Sequence, residues 1–175
     1  MEYKLPELSD EKEVLSYIKD HYENNETSIT ASNGLISMEY GAWVKQINDW
    51  LINPNGDWGK SITYLVYDDD IMIGLLNIRY EMSEELRLKY GDIGYSVRPS
   101  YRRCGYATKM LRYALEKCLE LGMDDVILGC YKSNVGSIRT ILNNGGKWLH
   151  EDEKDGKESL YYGIDLRKVK NNKNK

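Results

Sequence analysis

The chain has 175 residues, 24 basic and 28 acidic side chains, a net charge of −4 and a 41% hydrophobic share, enough for one domain to bury its own core. No apolar run reaches bilayer length, and the mild acidity argues against general nucleic-acid binding, which needs a broad basic surface. Scattered Cys104, Cys118 and Cys130, with only His21 and His150, make neither a disulfide framework nor a metal site, and without a signal-peptide core at Met1–Pro6 the expectation is a cytoplasmic protein that binds neither membrane nor nucleic acid.

Ser9-Asp10-Glu11-Lys12 opens a first helix with Val14, Leu15 and Ile18 at helical spacing, ended by Asn24 and Asn25. Tyr40 to Leu51 repeats the pattern through Trp43, Val44, Ile47 and Trp50 and stops before Pro54. Ile62–Tyr67 reads as a strand, Asp68-Asp69-Asp70 as a hairpin tip and Ile71–Tyr80 as the return, with Gly74 marking a bulge or a close backbone approach. After a charged helical turn (Glu81–Lys89), Asp92–Val97 is a further strand. The helix from Thr108 to Leu121 lines up Met110, Leu111, Ala114, Leu115 and Cys118, with Gly122 as its stop. Asp125–Cys130 is a short strand of the buried kind, and Asn134 begins a helix closed by Asn143–Gly146. Lys147–His150 and Ser159–Leu166 are closing strands around a polar turn, and the Lys/Asn tail, 168–175, is expected to be disordered. The order is α-α-β-β-β-α-β-α-β-β, a mixed sheet with a strand–helix–strand crossover.

One connection stands out. Val97-Arg98-Pro99-Ser100-Tyr101-Arg102-Arg103-Cys104-Gly105-Tyr106-Ala107-Thr108 joins a strand to a helix through basic, glycine and small residues. Unpaired N–H groups and the positive dipole end of a helix suit a phosphate or pyrophosphate; a plain strand-to-helix turn is the alternative. The Gly-Lys-Ser/Thr ending of a Walker-type phosphate loop is absent.

This order and loop resemble the GNAT superfamily of acyl-CoA-dependent N-acetyltransferases. Its signature of Arg or Gln, two residues, Gly, one residue, then Gly or Ala is similar to Arg102-Arg103-Cys104-Gly105-Tyr106-Ala107. A second block agrees: Asn134, after the strand Val126–Cys130, leads to Ser137 and Gly145. The resemblance covers Ile62 to about Leu166. It implies a single α/β domain over residues 1–167, its central, mostly antiparallel mixed sheet holding a splayed parallel pair and flanked by helices. Residues 9–52 would form the acceptor side and 62–166 the acetyl-CoA core. Backbone N–H groups from Arg103 through Thr108 would hold the pyrophosphate, with Arg102 and Arg103 adding charge. The pantetheine arm would use the backbone of Ser96 and Val97. Ser137 belongs to the same cofactor-binding set, and Asn134 would contact pantetheine, cap its helix, or both.

The implied reaction transfers acetyl from acetyl-CoA to a primary amine of a small molecule or peptide by direct attack in a ternary complex. A non-catalytic acyl-CoA sensor is the alternative. Amine deprotonation, oxyanion stabilisation and thiolate departure need a base, a donor and an acid. The resemblance points to the Val97 N–H as donor and to Asp92, or else Glu81, as base; Asp92 also reads as an exposed strand-edge acid. The family's frequent acidic Tyr, seven residues beyond the Asn, is Ile141 here, leaving Tyr131, or Tyr161 or Tyr162, as the candidate acid. Cys104 and Cys130 read as incidental thiols or as acyl carriers. Tyr40, Trp43, Trp50 and Trp58 line an acceptor pocket or the core. Acidic residues at 68–70 and 81–85 attract a cationic acceptor or are solvated surface. The acceptor is not named by the sequence, and a homodimer is compatible with it but not specified.

Overall fold

The computed structural model of the protein describes residues 1–167; the tail expected to be disordered lies outside them. The elements run β1 (Glu2–Lys4), α1 (Glu11–Glu23), α2 (Tyr40–Asp49), β2 (Lys60–Asp68), β3 (Ile71–Tyr80), α3 (Glu84–Tyr90), β4 (Ile93–Val97), α4 (Tyr106–Glu120), β5 (Asp125–Tyr131), α5 (Val135–Asn143), β6 (Lys147–Lys154) and β7 (Lys157–Asp165). Side chains start three of the helices. Glu39 accepts from the Gly41 and Ala42 amides, Ser83 from Leu86 and Asn134 from Ser137. Helix α4 opens on Gly105 with no side-chain cap. No described helix is long and apolar enough to cross a membrane.

The splayed pair divides the expected mixed sheet into two ladders. One antiparallel sheet has the order β1-β2-β3-β4 and the other β5-β7-β6. They meet along β4 and β5, joined by the crossover through α4. The Asp92 N–H donates to the Ile127 carbonyl at 2.7 Å. Three residues further along each strand Tyr95 and Cys130 are again neighbours, so β4 and β5 advance in the same direction. No ladder forms between them, and the pair therefore splays toward the end of β4 at Val97.

Alternation along β3 divides the core in two. Leu76 and Ile78 point to α4, against Met110, Leu111 and Ala114. Leu75 and Met72 point the other way, against Val14 and Tyr17 of α1 and Trp43 and Ile47 of α2. Tyr40 and Trp43 are thus core residues, whereas Trp58 sits at the surface against Tyr90, with ring centroids 4.8 Å apart. Both readings of Gly74 hold. Val66 pairs with Gly74 and Tyr67 with Met72, which leaves Ile73 as a bulge. A Cβ on Gly74 would stand 2.6 Å from the Ser96 carbonyl oxygen and 2.8 Å from Met110 Cε. Gly74→Val should therefore cost about 1–3 kcal/mol, read as a lower urea midpoint at unchanged slope.

Three boundaries differ from the sequence reading. β1 was not anticipated. α4 starts at Tyr106, two residues before Thr108. The closing strands run to a tight turn at Asp155-Gly156 instead of ending around a long polar loop.

Candidate functional site

The chain leaves β4 through a 3-10 turn, Pro99–Tyr101, and reaches α4 across Arg102–Gly105. Arg103 and Gly105 both hold positive φ, 66° and 79°. That alternation turns successive peptide N–H groups toward one side, as in an anion-binding nest. Among the described residues, none of the six amides from Arg103 to Thr108 has an acceptor; the first α4 bond runs from Lys109 N–H to the Gly105 carbonyl. Residues 102–105 are exposed, and a Cβ at Gly105 would meet nothing within 4 Å. The loop is exposed and uncapped, with a run of unpaired amides.

Its arginines divide their work. Arg102 gives Nε to the Val97 carbonyl at 3.0 Å and both terminal nitrogens to Glu26, at 2.5 and 2.7 Å. Arg98 bonds Asp20, Ser16 and the Met72 carbonyl. Asp20 also accepts from the Ser100 amide and hydroxyl. Arg103 makes no ion pair among the described residues. Cys104 is exposed, its thiol 3.5 Å from the Arg102 carbonyl. Tyr106 donates to Asp68 at 2.6 Å, which engages one acid of the hairpin tip.

Next to the loop is the wedge between β4 and β5. Hydrogen bonds from Arg98 N–H to Ile73 and from Arg79 N–H to the Asp92 carbonyl show which edge of β4 faces β3. By alternation the peptide groups of Gly94 and Ser96 face β3, and those of Tyr95 and Val97 face the wedge. Val97 N–H therefore faces the wedge, and the second wedge-facing amide is that of Tyr95 rather than Ser96. The Ser96 side chain lies on the opposite face of the sheet from the Tyr95 ring, bonded to the Tyr17 hydroxyl at 2.7 Å and to the Thr30 carbonyl at 2.8 Å. Tyr95 reaches across to Ser137 of α5, oxygen to oxygen 2.9 Å. Burial pushes the Tyr95 hydroxyl up to about 12, so it keeps its proton at neutral pH. Cys130 lies beside this pair, its thiol also pushed up by burial. Asn134 Oδ1 accepts from the Ser137 amide at 3.0 Å, which makes it the cap of α5. Ile141 is buried, 1% exposed, beneath Gly146.

Two catalytic candidates have partners of their own away from the Val97 end of β4. Asp92 is 1% exposed. Its carboxylate takes Arg87 Nε at 3.1 Å on both oxygens and the Ile127 amide at 2.7 Å. Arg87 continues to Asp125. Burial raises the Asp92 carboxyl above its ordinary range against the pull of the Ile127 amide and Arg87. A raised carboxyl suits a base, but Asp92 lies five residues from Val97, about 16 Å along an extended strand. It ties β4 to β5. Tyr131 turns its hydroxyl to Asp155 at 3.5 Å with Lys157 over its ring at 5.1 Å, so it belongs to the β6–β7 turn. Glu81 is exposed and paired with Lys60 at 3.2 Å. The Tyr95–Ser137 pair was missed, although strict alternation from Val97 would have placed Tyr95 in the wedge.

An acetyltransferase (GNAT) domain model matches residues 1–147. No curated protein matches the chain by sequence. The fold is similar to a GNAT-family acetyltransferase from Streptococcus pneumoniae (TM-score 0.71, 18% identity, 94% of this chain and 98% of that one). It is also similar to the microcin C7 self-immunity acetyltransferase MccE in complex with acetyl-CoA and AMP (0.68, 15%, 93% and 91%). A third likeness is to a chimera of the spermidine N-acetyltransferase SpeG from Vibrio cholerae with hSSAT (0.65, 14%, 98% and 99%). With the domain model spanning most of its length, the chain belongs to the GNAT acetyltransferase family.

Proposed function

We propose that the protein moves the acetyl group of acetyl-CoA to a primary amine of a small molecule or peptide by direct attack within a ternary complex. The observation that carries this is the run of six unpartnered amides from Arg103 to Thr108 beside the splayed β4–β5 pair. Those amides suit a pyrophosphate. The amides of Tyr95 and Val97 on the unpaired edge of β4 suit bonding to an extended arm, with the Val97 N–H as donor to the thioester oxygen as it gains charge. Tyr95 and Ser137 supply hydroxyls on the α5 side of the wedge, where the thiolate departs. The amine loses its proton to water, since Asp92 is held at the closed end of the wedge, five residues from Val97, and Glu81 is paired with Lys60 outside it. Neighbours on this fold are named for spermidine and for a ribosomal protein N-terminus, so the acceptor class varies on one scaffold.

A non-catalytic acyl-CoA sensor is the second reading, favoured by the buried Ile141 where a tyrosine acid commonly stands. One experiment separates the two. Titration calorimetry should show acetyl-CoA binding, and a thiol-release assay across amines, amino acids, polyamines, aminoglycosides and peptides should show amine-dependent release of free coenzyme A. Binding without release from any amine supports the sensor. Absence of binding sinks both readings.

A further inference from the structure

We propose that Glu26 is a positioning residue that latches the segment covering the acceptor face to the donor loop, so that occupancy of one site is felt at the other; this rests on the acetyl-CoA reading above. Glu26 follows α1 in the connection to α2. Its carboxylate grips the Arg102 guanidinium through both oxygens, and Arg102 in turn holds the carbonyl of Val97, the last residue of β4. Four and five residues further on, the same connection lies over the sheet. The Thr30 carbonyl accepts from Ser96, and Ala31 covers Gly94, its Cβ 3.6 Å from where a glycine Cβ would be. Asn33 then reaches Thr63 on β2 at 3.2 Å. A single stretch of chain, 26–33, therefore touches the donor loop at one end and the acceptor face of β2 and β4 at the other.

Buried chemistry sets the position of Glu26. His21 is 1% exposed, and its Nδ1 lies 2.8 Å from Glu26 Oε2. Burial lowers the His21 pKa against the opposing pull of Glu26, and because a carboxylate only accepts, Nδ1 is the donor to it. Nε2 has no partner. The Arg102 hydrogen bonds, outweighing burial, hold the Glu26 carboxyl below its usual range, which keeps it ionised for the guanidinium. The edge of Tyr17 closes on His21, with centroids 4.6 Å apart, while the Tyr17 hydroxyl bonds Ser96. Glu26 thus has its own donor, a fixed guanidinium and a shared wall with Ser96. Asp20 staples Arg98 and Ser100 to α1 in parallel, so losing Glu26 frees the 26–33 segment without releasing the whole loop. The Glu26–Arg102 pair is partly exposed, and such pairs contribute little to global stability; Glu26→Gln should fold.

The test is hydrogen–deuterium exchange of the full chain with and without saturating acetyl-CoA, on wild type, Glu26→Gln and Glu26→Asp. In the wild type, acetyl-CoA should slow exchange at 103–108 and also at 26–33. In Glu26→Gln, protection at 103–108 should remain at saturation while that at 26–33 is lost. The acetyl-CoA dissociation constant should rise about fivefold or more, the low end of ordinary coupling between sites. Glu26→Asp, which keeps the charge, should restore part of the 26–33 protection. Protection at 103–108 alone in the wild type, or equal protection at 26–33 in Glu26→Gln, overturns the latch and leaves the acetyl-CoA reading standing. No protection anywhere overturns both.

Discussion

Asp92→Ala is expected to cost about 3–5 kcal/mol of stability, the ordinary price of removing one partner from a buried ion pair. The variant leaves the Ile127 amide without its acceptor and half-buried Arg87 without its deepest partner. For a domain of this size each kcal/mol moves the melting temperature by about 2–4 °C, so a fall of roughly 10 °C should appear in calorimetry. The folded fraction, assayed well below the transition, should keep most of its turnover. That combination distinguishes a strand tie from a base. A loss of turnover beyond about a hundredfold with an unmoved melting temperature would restore the catalytic role, since general-base contributions are of that order.

Gly105→Val should act in the opposite way, sparing the fold and removing the ligand. Gly105 holds φ 79°, where an L-residue costs roughly 1–2 kcal/mol. Its missing Cβ faces open space, so nothing in the protein is displaced by a larger side chain. The space in front of the amides is displaced, and with it the approach of a pyrophosphate. We expect the acetyl-CoA dissociation constant to rise by about a hundredfold, equal to about 2.8 kcal/mol, with Gly105→Ala intermediate. Calorimetric titration measures this directly, and an unchanged constant for the valine variant would remove the loop from the binding site.

Element order was legible in the sequence because each long element keeps its period. Trp43, Val44 and Ile47 repeat helically, and β2 and β3 flank an acidic tip. What failed to show is pairing. β1 is three residues and has no period of its own. The division into two sheets depends on a ladder that does not form between β4 and β5, and strand composition carries no such signal. β6 and the first residues of β7 are largely exposed, so their polar residues read as a loop. Asp92 shows the same limit at the site. A carboxylate at a strand start reads as solvent-facing, while its partners lie five residues before it and 35 after it. The form of the Arg102–Thr108 loop was readable because it is local: a glycine, a helix start and their spacing. The surface where the 26–33 connection meets β2 and β4 is assembled from distant residues, and no local spacing encodes it.

Because the donor loop would grip with main chain, its side chains are released from that task. Arg98 and Arg102 face inward to carboxylates of α1 and the connection after it, and Tyr106 is tied to Asp68. Peptide dipoles are identical whatever residue carries them. Positions such as Cys104 can therefore drift through many residue types while the recognised chemistry stays constant, provided that the two left-handed backbone positions at 103 and 105 persist. What the loop requires is a shape of the backbone, set at Arg103 and Gly105, and the Cys104 side chain takes no part in it.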